Sequence, residues 1–113
     1  MSVHLDRELS NLKKKLLHLG SLVETNLSKA IKSLSDLNEN LAKEVQAGDK
    51  VIDMKEVEVE EDCLKILALH QPVAIDLRFV IATLKINNDL ERIGDLAMSV
   101  ARRARYLARQ DHV

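Results

Sequence analysis

The sequence contains very few of the residues that break helices, form disulfides or stack on nucleic-acid bases. Its 113 residues include three glycines, one proline, one cysteine and only two aromatic side chains, Phe79 and Tyr106. Because single-strand nucleic-acid binders rely on aromatic stacking surfaces, we expect no nucleic-acid function. The single Cys63 has no partner for an internal disulfide, which favours a small buried apolar residue in a reducing compartment.

Strong charge of one sign and long apolar runs are also missing. The formal net charge is −1, with 31% charged residues of both signs, so no overall field favours nucleic acid or an anionic membrane. No run approaches the roughly 18 apolar residues of a membrane span, and residues 1–7 are polar, so we expect neither a span nor a signal peptide. These features favour a cytoplasmic protein.

Apolar residues are abundant and recur every three or four positions, which is the period of an amphipathic helix. The first stripe is Leu5, Leu9, Leu12, Leu16, Leu19, Val23, Leu27, Ala30, Leu34 and Leu37. The second is Leu41, Val45, Ile52, Val59, Cys63 and Ile66, widened by Val51, Leu64 and Leu67. The third is Val80, Thr83, Ile86 or Asn87, Leu90, Ile93, Ala97, Val100, Ala104 and Leu107.

These stripes predict an all-α fold of one domain over residues 1–113. Helices at about 4–37, 40–70 and 73–109, joined by short turns, form an elongated antiparallel three-helix bundle with coiled-coil-like packing. Pro72 disfavours helical geometry at Gln71 and suits the first turn of the third helix. Arg78 would help Pro72 to fix this hairpin if it forms an ion pair with Asp76 or contacts the carbonyls of the turn. The alternative is that Arg78 contacts an anion.

Two carboxylate pairs lie almost symmetrically on either side of the turn at Pro72. Asp49 and Asp53 are four residues apart, as are Glu91 and Asp95, and residues at this spacing share a helix face. In an antiparallel hairpin the two pairs lie at the same position along the bundle axis. Four carboxylates that repel one another would then lie side by side. A bound cation would relieve this repulsion, and oxygen ligands suit hard or borderline ions.

Carboxylates at this spacing also arise by chance, and most helical acids are solvated or paired with Lys and Arg. The chain has four such pairs, the other two being Glu56 with Glu60 and Glu58 with Asp62, whereas random placement gives about three. No histidine follows a glutamate at the spacing of ferritin-like di-iron enzymes, and no glycine-rich phosphate loop or nucleophile motif is present. We therefore expect no enzymatic activity. A metal-dependent phosphatase is the least favoured interpretation of the sequence.

Two segments give the sequence a family resemblance. Residues 63–78 end in Gln-Pro-Val-Ala-Ile-Asp-Leu-Arg, and residues 90–95 read Leu-Glu-Arg-Ile-Gly-Asp. These segments resemble the PhoU family of bacterial phosphate uptake and its signalling, and a weaker similarity through residues 20–30 extends it over nearly the whole chain. The resemblance implies a three-helix bundle and, in some members, multinuclear metal clusters of iron, zinc or manganese type, with magnesium a further candidate. The paired acidic motifs that hold these clusters in the family correspond to Asp49/Asp53 and Glu91/Asp95 of this sequence.

The resemblance also implies a function and partners. PhoU proteins are non-catalytic regulators that couple the phosphate ABC transporter, through its ATPase, to a sensor histidine kinase and restrain the phosphate-starvation response. Association of this protein with membranes would then be peripheral and only through these partners. They contain two such bundles in tandem, whereas this sequence has one. We therefore expect a homodimer or higher oligomer that buries the apolar surface of the single bundle. The alternative is a helical dimerisation or adaptor module whose carboxylates bind no metal.

Overall fold

The computed structural model describes residues 3–110, which form three antiparallel helices in a rod about 65 Å long and 17 Å wide. Helix α1 spans Val3–Ser35, α2 spans Glu39–His70 and α3 spans Ala74–Gln110. Each helix contacts both of the others along its length. The predicted all-α three-helix bundle is confirmed, and each helix end falls within about two residues of the predicted one. The outermost residues of the predicted 1–113 domain, and part of the polar segment 1–7, lie outside the described residues.

A Schellman turn connects α1 to α2. The Asn38 N–H donates to Ser33 O at 2.8 Å and the Leu37 N–H to Leu34 O at 3.3 Å, while Leu37 adopts a left-handed φ of 49°. Asn38 then caps α2, because its Oδ1 accepts a hydrogen bond from the Leu41 N–H at 3.0 Å. The polar cluster at 35–40 therefore both ends α1 and starts α2.

The turn between α2 and α3 is built around Gln71 and Pro72. Gln71 ends α2 in the left-handed region with φ of 45°, and its N–H donates to Leu67 O at 3.3 Å. Pro72 is buried and precedes the start of α3 by two residues, so it lies in the turn rather than in the first helical turn. Across the bundle, His70 Nε2 lies 2.8 Å from Glu8 Oε2 and ties this end of the hairpin to α1.

The core changes in side-chain size from one end of the rod to the other. The half containing the Pro72 turn holds Cys63 and eight larger aliphatic residues: Leu5, Leu12, Leu19, Val23, Ile52, Val59, Ile66 and Val80. The other half is built mainly on alanine: Ala30, Ala42, Val45, Ala97, Ala101 and Ala104. Small side chains let helix backbones approach closely, so this half depends on close packing rather than on large buried surfaces.

Some predicted core positions differ from the observed ones. Val51 and Leu64, expected to widen the α2 stripe, are exposed, while Glu56 is buried. In α3 the buried residue of the pair Ile86 and Asn87 is Asn87, and Ala108 rather than Leu107 faces the core near the helix end. The buried residues of α3 keep a seven-residue repeat, with Val80, Asn87, Gly94, Ala101 and Ala108 in one series and Thr83, Ala97 and Ala104 in the other. The predicted Ile93, Val100 and Leu107 each lie one residue before a buried position of the first series.

Candidate metal centre

A groove about 420 Å³ in volume runs between α2 and α3 on the side away from α1. We call it the carboxylate groove. It is lined by Asp53, Glu56, Val57, Glu60, Asn87, Glu91 and Asp95. The antiparallel pairing of α2 and α3 around Pro72 brings these residues together, since residues at similar distances from the turn lie at one height.

Three of the four sequence-predicted ligands, Asp53, Glu91 and Asp95, line this groove. The fourth, Asp49, is half-buried at its end, and burial raises the pKa of the Asp49 carboxyl, with further upward contributions from Asp53 and Asp95. The Arg102 guanidinium opposes this shift in the Asp49 pKa. The structure therefore places all four predicted residues on one side of the bundle, and their binding of a metal stays a prediction.

Glu56 is the acidic residue of the groove that the spacing argument did not select. It is only 7% exposed, and burial together with Asp53 and Glu91 raises the pKa of its carboxyl to about 7. Its position could have been found from the core stripe of α2, because residue 56 continues the three-and-four spacing between the buried Ile52 and Val59.

Gly94 leaves bare backbone beside two of these carboxylates. A Cβ built on Gly94 would lie 3.6 Å from Asp49 Oδ1 and 3.9 Å from Glu56 Oε1. Asp49 Oδ1 and Glu56 Oε1 therefore both lie close to the backbone of Gly94, the residue before Asp95. The absence of a side chain at this point leaves space between the carboxylates that any other residue would occupy in part.

The four acid pairs at helical spacing differ in how their charge is balanced. Lys15 of α1 lies 2.9 Å from Glu58 Oε1 and 2.6 Å from Asp62 Oδ2, so a lysine bridges this pair and offsets part of its charge. Within residues 3–110, by contrast, no Lys, Arg or His forms an ion pair with the acids of the other three pairs. Those three are 49/53, 56/60 and 91/95, the acids in and beside the groove.

The ligand atoms do not converge at one point. In the described part of the chain, no three His, Cys, Asp or Glu side chains are placed to hold a metal ion together. The carboxylates line the groove and would have to rotate about their side-chain torsions to share an ion. The donors themselves fit such an ion, because carboxylate and amide oxygens are the ligands preferred by Mg²⁺, Mn²⁺ and similar hard cations.

Cys63 takes no part in this site. It is fully buried, and burial raises the pKa of the Cys63 thiol to about 11, so it stays protonated in the core.

The residues expected to fix the hairpin differ in their contacts. Pro72 is buried in the turn, and the backbone N–H of Asp76 donates to Val73 O at 3.2 Å. Arg78 is exposed, and in the segment described neither its guanidinium nor the Asp76 carboxylate forms an ion pair or side-chain hydrogen bond. The turn is therefore held by Pro72 and backbone hydrogen bonds, and a role for the Arg78 side chain stays a prediction.

Comparison with known proteins identifies relatives of the whole bundle. The PhoU domain family model matches residues 16–104. The chain is 41% identical over 108 residues to the phosphate-specific transport system accessory protein PhoU homolog 1 of Thermotoga maritima, covering 96% of this chain and 47% of that protein. It is 38% identical over 112 residues to the phosphate-specific transport system accessory protein PhoU of Escherichia coli, covering 99% of this chain and 46% of that protein.

A solved structure shows the same fold. The crystal structure of PhoU from Pseudomonas aeruginosa matches with a TM-score of 0.90 and 42% identity, over 93% of this chain and 50% of that one. The chain thus spans about half the length of the relatives it matches. Among the described residues, no helix is apolar over a sufficient length to cross a membrane.

Proposed function

The chain belongs to the PhoU family, and from this membership we propose that it is a non-catalytic regulator of phosphate uptake and phosphate-starvation signalling. It would couple a phosphate ABC transporter, through the transporter ATPase, to a sensor histidine kinase at the cytoplasmic face of the membrane. The support is that the curated relatives are named phosphate-specific transport system accessory proteins and that the family match spans nearly the whole bundle.

Binding to the two proposed partners tests this role. We expect the purified chain to retain both the transporter ATPase and the cytoplasmic part of the kinase from its own organism in a pull-down assay. Because membership of an accessory family predicts protein contacts rather than turnover of a substrate, failure to bind either partner at micromolar concentration would contradict the coupling role.

We further propose that the carboxylate groove and Asp49 bind one or more metal ions of the iron, zinc, manganese or magnesium type. Asp49, Asp53, Glu91 and Asp95 would hold the ion, with the buried Glu56 beside them. The observation that carries this proposal is the missing charge balance: these acids have no ion-pair partner in residues 3–110, whereas Glu58 and Asp62 share Lys15. A bound ion would supply the positive charge that neutralises them and would link α2 to α3.

Elemental analysis after purification without chelator, from cells supplied with Fe, Mn and Zn, tests the metal site. We expect metal in the unmodified protein and its loss in the double variant Asp49→Asn with Glu91→Gln, which preserves side-chain shape. The matched control is Glu58→Gln with Asp62→Asn, an acid pair of the same spacing that Lys15 already bridges. Equal metal content in the two double variants would argue against the site.

The alternative function is a helical dimerisation or adaptor module that binds no metal. One observation favours it: the carboxylates of the described chain do not meet at a common point. Under this alternative the unmodified protein contains no metal after supplementation, while partner binding and self-association persist.

A further inference from the structure

Asn87 is a buried polar residue in the wall of the carboxylate groove. Its side chain is 6% exposed, and its Nδ2 donates a hydrogen bond to Glu56 O at 3.0 Å. Its other polar atom, Oδ1, is buried and has no hydrogen-bond donor. Most buried polar atoms in proteins have a partner, so an unpaired amide oxygen requires an explanation.

The orientation of this amide is fixed by its hydrogen bond. If the amide were turned over, Asn87 Oδ1 would face the Glu56 carbonyl oxygen, and two acceptors would then oppose each other without a proton between them. The observed orientation therefore keeps Oδ1 directed away from the Glu56 backbone.

Few groups near Oδ1 can donate to it. The other polar side chains that line the groove are the carboxyl groups of Asp53, Glu56, Glu60, Glu91 and Asp95, which accept hydrogen bonds and can donate one only when protonated. Within residues 3–110 no basic side chain forms an ion pair with any of them. An amide oxygen in the wall of a carboxylate-lined groove matches the ligand set of hard cations, because amide carbonyls and carboxylates are the groups that bind them.

We propose that Asn87 Oδ1 is a neutral oxygen ligand that completes a cation site with the carboxylates of the groove. This inference rests on the metal site proposed above and adds to it a residue that spacing alone does not select. A neutral oxygen at this position favours hard cations such as Mn²⁺ and Mg²⁺ over Zn²⁺, which is bound more often by imidazole and thiolate. Its role is to set which ion the groove accepts.

Titration of the metal-free full chain with Mn²⁺, followed by the free-ion electron paramagnetic resonance signal, tests the proposal. We expect Asn87→Leu to raise the Kd for Mn²⁺ by about tenfold or more, the effect typical of losing a well-placed group at a metal site. The matched control is Asn88→Leu, because Asn88 is the exposed neighbour of Asn87 on the same helix. This variant should bind as the unmodified protein does.

Binding by the unmodified protein separates the two proposals. The metal site stands if the unmodified protein binds Mn²⁺ and the Asp49→Asn with Glu91→Gln variant does not. If, in that case, Asn87→Leu binds Mn²⁺ as tightly as Asn88→Leu does, the role of Asn87 is overturned. If the unmodified protein binds neither Mn²⁺ nor Mg²⁺, the role of Asn87 is overturned, and the metal site fails as well if the purified protein also contains no Fe or Zn.

A second measurement needs no substitution and covers the case in which Asn87→Leu does not fold. In protein labelled with ¹³C at asparagine, Mg²⁺ should shift the side-chain Cγ resonance of Asn87 and leave that of Asn88 in place. An Asn87 Cγ resonance that moves with pH but not with Mg²⁺ would mean that a protonated carboxyl pairs with Oδ1, and this result would overturn the proposal.

Discussion

Gly48 and Gly20 are both helical glycines, but they have different surroundings. A Cβ on Gly48 would lie 3.0 Å from Asn26 Oδ1, whereas a Cβ on Gly20 would meet nothing within 4 Å. Asn26 cannot move away freely, because its Nδ2 donates a buried hydrogen bond to Val45 O at 3.1 Å. Gly48 is therefore the position at which α2 makes room for a polar contact from α1.

This difference predicts opposite effects of the same substitution. Gly20→Ala should raise the free energy of unfolding by up to about 1 kcal/mol, the difference in helix propensity. Gly48→Ala gains the same propensity but displaces Asn26, and loss of its buried hydrogen bond costs about 1–3 kcal/mol, so the net effect should be zero or destabilising. Urea unfolding of the two variants measures this, and equal stabilisation by both would refute the close contact.

The pH dependence of stability should reveal the buried Glu56 carboxyl in metal-free protein. Its pKa is about 7 in the fold against an ordinary value of 4.5, so the folded state binds more protons between these values. The stability that protonated Glu56 contributes is complete below pH 4.5 and is lost as the pH rises through about 7.

Glu56→Gln removes this titration. In the presence of chelator, the variant should gain stability over the unmodified protein as the pH rises from 4.5 to 7, reaching a difference on the order of 2 kcal/mol. Thermal unfolding at several pH values measures it, with Glu60→Gln, an exposed acid of the same groove, as the control. A difference that does not change with pH would contradict a raised pKa at Glu56.

At the residue scale, the sequence predicted the location of four acids in and beside the groove, but not the buried residues next to them. Helical spacing and distance from Pro72 were sufficient to bring Asp49, Asp53, Glu91 and Asp95 to one side. The buried positions of Glu56 and Asn87 could not be predicted from residue type, because isolated acids and amides are usually exposed. The spacing of the core stripes is the signal that points to them, since residue 56 lies between the buried Ile52 and Val59 and Asn87 was one of two alternatives in the α3 stripe.

Helix α3 shows the same limit at the scale of the element. The heptad spacing predicted Leu107 in the core, but Ala108 is buried and Leu107 is 38% exposed. The buried positions of α3 repeat every seven residues from Val80 to Ala108, and near the helix end the prediction followed the larger apolar residue at the adjacent position. The type and length of the helix were predictable, whereas the choice between two adjacent apolar positions depended on the packing of the bundle.

The alanine-rich half of the bundle should tolerate larger side chains poorly. Ala97, Ala101 and Ala104 of α3 are fully buried against Ala30 of α1 and Ala42 of α2, and overpacking of such an interface costs typically about 1–3 kcal/mol.

Ala101→Leu should therefore destabilise the bundle by about that amount. Ser99→Leu, on the exposed face of the same helix turn, should leave the free energy of unfolding within about 0.5 kcal/mol of the unmodified protein. Chemical unfolding compares the two variants. If Ala101→Leu were as stable as Ser99→Leu, the helices would not approach each other closely in this half.

At the scale of the whole molecule, the rod is too narrow to bury all of its apolar residues. Large apolar side chains remain exposed on all three helices, among them Leu17 at 66%, Leu64 at 52% and Ile81 at 38%. Leu64 of α2 and Ile81 of α3 lie between the carboxylate groove and the Pro72 turn. With a formal net charge of −1, two copies repel one another only weakly.

We therefore predict that the chain forms a homodimer, because pairing two rods removes apolar surface from water at about 25 cal/mol per Å². Sedimentation equilibrium should give twice the monomer mass at high concentration and a concentration-dependent shift toward monomer on dilution. Leu64→Gln with Ile81→Gln should move this equilibrium toward monomer by at least about tenfold if each side chain contributes roughly 1 kcal/mol, while Leu17→Gln on α1 should leave it unchanged. A monomer at every concentration would exclude self-association. If only Leu17→Gln weakened the dimer, the contact between copies would lie on α1 and not on the α2–α3 side.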